Sequence, residues 1–210
     1  AFAAPAAFAQ DMSFDGLAGS VERDVEGDME MNGAGLSYAG RVGGDLVMNG
    51  AGIEADAEVG GNLELNGAGV SFTGSVAGAS EINAAGADLD GTFGGPVEIN
   101  AGGAELSGVY SGPVRLNAGG ARLNGRFDDR VEVRLDTDGG FLRRNRGRVV
   151  ISGEINAPSY ICAQRVEIER GARLNAPVEI IADEAPDTPS GFDAANIDFS
   201  PRGDARCRND

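Results

Sequence analysis

Asn49-Gly50-Ala51-Gly52-Ile53 returns as Asn66-Gly67-Ala68-Gly69-Val70, and more loosely as Asn100-Ala101-Gly102-Gly103-Ala104. The asparagine recurs every 17 residues, at Asn32, Asn49, Asn66, Asn83, Asn100 and Asn117, with Asp15 in its place one period earlier. A short fixed period whose unit cannot bury its own apolar face implies stacked units. One such unit is too short for a helical hairpin repeat but long enough for one coil of a β-solenoid.

With the asparagine as position 1, positions 5 and 7 are mostly apolar, as in Leu36/Tyr38, Val70/Phe72 and Ala104/Leu106. Position 11 runs Val25, Val42, Val59, Val76, Phe93, Tyr110, Phe127, and positions 15 and 17 are apolar again, as in Leu63/Leu65 and Val97/Ile99. Alternation within each short run is the strand period, with one face turned inward. Val59, Leu63, Leu65, Phe72, Val76 and Ile82 are therefore expected in the core. Gly or Ala at position 9, Gly at position 13 and the Asn-Gly-Ala-Gly segment supply three corners, so each coil is expected to be three-sided. Pro96 and Pro113 follow a corner, where a strand tolerates a missing donor. Stacked ~4.8 Å apart, the asparagines should form an amide ladder rather than a binding site.

The period breaks at Arg134–Arg148 and resumes as Asn156-Ala-Pro and Asn175-Ala-Pro, 19 residues apart. The expected organisation is an arm or signal remnant over residues 1–14, a solenoid over 15–182, and an irregular capping tail over 183–210. Roughly nine or ten coils predict a rod on the order of 45 Å long.

Among 210 residues there are 34 glycines, no His, no Trp, and 17 basic residues that are all Arg, for a net charge of −16. Lacking His, the chain has neither the usual general base nor the usual zinc ligand, and two cysteines cannot form a thiolate cluster. Its acidity disfavours nucleic acid and anionic membrane surfaces. No run approaches the length of an apolar membrane span. Ala7-Phe8-Ala9 before Gln10 fits a small-x-small signal cleavage pattern, which points to export and to the periplasm or cell envelope. In such a compartment Cys162 and Cys207, the only cysteines, are expected to form a disulfide drawing the tail over the last coils.

Two charged constellations stand apart from the core pattern. Position 16 faces outward and places Glu64, Glu81 and Glu98 in a column, read either as a solvated face or as a strip for a cation or basic partner. Arg143, Arg144, Arg146 and Arg148 form a basic run, read either as a loop offsetting the acidic body or as an anion grip. Asp136-Thr-Asp-Gly-Gly lacks the further ligands of a calcium loop, and Arg202-Gly-Asp204 is too short to carry weight. No catalytic residue, metal ligand or cofactor site is assigned.

Val59-Gly-Gly-Asn-Leu-Glu-Leu-Asn-Gly-Ala-Gly-Val70 and its echo Val42–Ile53 resemble the coils of bactofilins, polymer-forming bacterial cytoskeletal proteins. The resemblance spans roughly residues 15–182. It implies a right-handed three-sided β-helix, nucleotide-independent filaments joined through end coils, and no catalytic residues. The expected role is a non-enzymatic envelope scaffold whose partners are itself, end to end, or envelope components. A capped monomeric adhesin-like or binding solenoid and a polysaccharide lyase remain the alternatives.

Overall fold

A computed structural model describes residues 10–135, 147–202 and 207. Among these residues there is no helix, and every strand pairing is parallel. From Leu46 to Tyr110 the pairing advances by one 17-residue period per coil, as in Asn49↔Asn66, Asn66↔Asn83 and Asn83↔Asn100. The chain is a β-solenoid.

Its three faces are plainest where the strands are short. Ala121–Leu123, Arg126–Phe127 and Val131–Leu135 make one coil, and each stacks on its counterpart in the next: Arg148–Ile151, Glu154–Ile155 and Ser159–Cys162. A third set follows with Arg165–Ile168, Arg173–Leu174 and Val178–Ala182. In the regular coils the strand is continuous around two corners, so Leu46–Val59 and Val97–Tyr110 each run 14 residues.

The third face has eleven rungs, starting at Met12, Met29, Leu46, Leu63, Ser80, Val97, Val114, Val131, Ser159, Val178 and Ile197. That exceeds the nine or ten expected, and both ends contribute. Met12–Asp15 pairs with Met29–Asn32, so the first rung begins within the residues 1–14 set aside as an arm. Within the tail expected to be irregular, Ile197–Pro201 pairs with Val178–Ala182 in register at 19 residues. Ten ~4.8 Å steps give a rod of roughly 50 Å. Across the irregular stretch the register steps by 28 residues instead of 17, as in Leu123↔Ile151, so a single coil absorbs the insertion.

The core fills as the alternation requires: Val59, Leu63, Leu65, Phe72, Val76 and Ile82 are all buried. Position 11 forms an aromatic pile, with Phe93 and Tyr110 centroids 4.8 Å apart and Tyr110 and Phe127 4.9 Å apart. Coils stacked at strand spacing bring like side chains to ring-stacking distance, so successive aromatics pack ring on ring. Burial raises the Tyr110 phenol well above its ordinary pKa, and its hydroxyl donates to the Leu89 carbonyl at 3.4 Å.

Position 13 is glycine for a steric reason. A Cβ on Gly78, Gly95 or Gly112 would sit 2.5, 2.3 and 2.3 Å from the carbonyl oxygen of the glycine one coil earlier. At position 9, Gly40, Gly74 and Gly108 have φ of 146°, 133° and 90°, so these corners use glycine for its conformation.

Candidate functional site

The asparagine column is a continuous ladder. Each Nδ2 donates to the Oδ1 one coil earlier: Asn49 to Asn32 at 3.0 Å, Asn66 to Asn49 at 2.9 Å, Asn83 to Asn66 at 3.0 Å, Asn100 to Asn83 at 3.1 Å and Asn117 to Asn100 at 3.0 Å. Asp15 ends the run by accepting from Asn32 at 3.0 Å, a role that needs no donor. The second Nδ2 proton meets the acidic strip, since Asn66 donates to Glu64 at 2.8 Å and Asn83 to Glu81 at 3.1 Å. Glu64 and Glu81 are thus tied to the ladder. Further along position 16, Glu132 departs from the outward-facing expectation. It is 8% exposed, in contact with Arg134 and 3.8 Å from Arg115, because two guanidinium groups offset its burial.

A second column escaped the sequence reading. Asp11, Asp28, Asp45 and Asn62 each accept the backbone N–H one coil later, at Asp28 (3.0 Å), Asp45 (2.8 Å), Asn62 (2.6 Å) and Ala79 (2.9 Å). The column then changes chemistry. Ala79 has no side-chain acceptor to offer, and the next residues in line are Pro96 and Pro113, which have no N–H to satisfy. The 17-residue spacing of Asp28, Asp45, Asn62, Pro96 and Pro113 was the available signal.

A third column joins the less regular coils. Asn156 donates to Asp128 at 2.8 Å and Asn175 to Asn156 at 2.7 Å. Hydrogen bonds from Arg126 and then Asn156 hold the Asp128 carboxyl below its ordinary range.

Cys162 and Cys207 are joined in a disulfide, with Cα atoms 5.7 Å apart. Cys162 is fully buried and lies in register with Ile181, which pairs in turn with Ser200. The bond therefore ties the chain beyond the last rung to a strand two rungs further in. Phe192, Ile197 and Phe199 lie half-buried against the core end.

On the first face a trough of about 1640 Å³ runs along the rod from the Ala18 coil to the Arg148 coil. Its floor includes Gly35, Gly52, Gly69, Gly86 and Gly103, each at a site where a Cβ would meet nothing within 4 Å. The chain's own packing does not require glycine there. Glu54, Asp88, Glu105 and Arg122 line the wall on position 6. Arg122 is engaged by Glu169 at 3.3 Å, Arg148 by Glu167, and Glu105 accepts from Asn124 at 2.6 Å. A smaller hollow of about 610 Å³ on the third face is bordered by Glu64, Glu81, Glu98 and Arg115.

Of the basic run only Arg148 lies within the described residues, and its pairing with Glu167 fits a charge-balanced surface. Arg143, Arg144 and Arg146, the Asp136–Gly140 turn, the Ala7–Ala9 cleavage pattern and most of the Arg202–Asp204 tripeptide fall outside them. Among the described residues no cluster of acidic and sulfur side chains is arranged to hold a metal, and no helix is long and apolar enough to cross a membrane. No protein-family model, curated protein or solved structure matches the chain.

Proposed function

We propose that this chain is a non-enzymatic scaffold of the bacterial cell envelope, able to stack end to end in the manner of bactofilins. The observation that supports stacking is the pair of end rungs. Among the described residues, Met12–Asp15 and Ile197–Pro201 each have a strand neighbour on one side only. A one-sided rung leaves backbone donors and acceptors that a further parallel coil would complete. A structural role is supported by the asparagine ladder and the Asp11–Asn62 column, whose side chains are spent on holding coil to coil. An oxidising compartment is supported by the disulfide.

A second reading, a capped binding solenoid, is favoured by the trough, whose glycine floor leaves room that the chain itself does not use. The lyase reading is weaker. The trough does bring Asp88, Glu105 and Arg122 onto successive rungs, but the Arg122 guanidinium is already committed to Glu169. Negative-stain electron microscopy of the purified protein separates the first two. Filaments built from ~50 Å rods support assembly, whereas single rods at every concentration and redox state refute it.

A further inference from the structure

We propose that the Cys162–Cys207 disulfide is a redox latch on the C-terminal end of the stack, holding a thin terminal coil that otherwise opens. The inference rests on the reading that the chain assembles through its ends.

The terminal coil is unlike those beneath it. From Asp183 to Arg202 not one residue is buried, and its apolar side chains Phe192, Ile197 and Phe199 are only half-covered. The coil below is the opposite: Val166, Ile168, Leu174, Val178, Ile180 and Ala182 are all buried. The terminal coil covers that apolar end while burying almost nothing of its own. Its non-covalent ties are mostly backbone hydrogen bonds: the Ile197–Pro201 ladder, Asp187 bridging Val166 and Ile168 at 3.0 and 2.8 Å, and the Asp183 and Arg202 amides donating to the Gln164 and Ala182 carbonyls at 3.0 and 2.8 Å. Asn196 adds a bond to the Leu174 carbonyl at 2.6 Å, and Arg165 and Glu184 an exposed pair at 3.8 Å. Segments with few buried contacts are the first to open locally. The covalent bond to Cys162, two rungs inside, is what restricts the opened state.

Release is thiol–disulfide exchange. Cys207 is partly exposed and Cys162 is buried, so an external thiolate attacks the Cys207 sulfur. Cys162 leaves as thiolate and takes up a proton. A second thiol then resolves the mixed disulfide, giving two protein thiols and one external disulfide. Freed from the loop constraint, the terminal coil opens more often by on the order of a hundredfold or more. Opening replaces the thin Ile197–Pro201 rung as the C-terminal stacking surface with the complete, apolar three-sided coil of Arg165–Ile168, Arg173–Leu174 and Val178–Ala182, on which a second copy stacks more fully.

The test is hydrogen exchange on the full chain, oxidised, treated with dithiothreitol, and as Cys207→Ser, with thiol titration to establish reduction. Rod length is followed in parallel by electron microscopy. The latch predicts that amides of Asp183–Pro201, with those of Ile168 and Val178 that donate to this coil, lose protection by on the order of a hundredfold in both reduced forms, while the coils through Cys162 keep theirs. Unchanged protection of Asp183–Pro201 with both thiols free overturns the latch. If that coil opens but the rods stay single, the latch holds and end-to-end assembly fails instead.

Discussion

Replacing Asn83 with Ala removes the middle of the amide ladder. The side chain donates to Asn66 at 3.0 Å and to Glu81 at 3.1 Å, and it accepts from Asn100 at 3.1 Å. Glu81 is exposed, so water replaces that bond at almost no cost. The two ladder bonds are part-buried, and their loss strands an acceptor on Asn66 and a donor on Asn100. At about 1 kcal/mol per bond the cost is about 2 kcal/mol, which for a chain of this size lowers the melting midpoint by roughly 4–8 °C. Asp15→Ala removes only a terminal acceptor and should cost about half as much. Thermal melting followed by circular dichroism measures both. A shift for Asn83→Ala within the error of the wild type, or no larger than for Asp15→Ala, would refute the view that the asparagines are structural.

Two glycine columns predict opposite outcomes. Gly69→Ala adds a methyl in open space and should be neutral or stabilise by about 0.4–1 kcal/mol, whereas Gly95→Ala drives a Cβ to 2.3 Å from a carbonyl oxygen and should destabilise by more than that. Equal effects in urea unfolding would contradict the stacking geometry. Asp128 has a folded pKa below its unfolded value, so its contribution is present above the unfolded pKa and is lost as pH falls through the folded one. In a carboxyl NMR titration Asp128 should titrate below ordinary aspartates, and Arg126→Ala should move it upward; an unmoved midpoint would rule out the Arg126 hydrogen bond as the main cause.

Most of the fold was legible because the period is exposed to reading wherever stacking forces like residues together. The asparagine ladder and the apolar columns at positions 11, 15 and 17 follow from that one constraint, whereas the cysteine pairing was legible because the chain has only two cysteines. The polar columns outside positions 1 and 16 were harder to see. The Asp28–Asp45–Asn62 column leaves no matching side-chain pattern because its partner is the backbone N–H one coil later. Ile197-Asp-Phe199 was hidden because a two-residue apolar alternation is weak alone, and its link to Val178-Glu-Ile180 appears only with the 19-residue step. The trough was illegible for another reason. Glycine forced by a close approach and glycine facing open space are the same letter.

The central claim is a stack of parallel rungs that lengthens by end-to-end addition. Fibre diffraction from assembled protein tests both halves together. The account predicts a reflection at ~4.8 Å along the filament axis, because every rung lies across it. Filaments whose ~4.8 Å reflection falls perpendicular to their axis would mean rods joined side by side, and would contradict it.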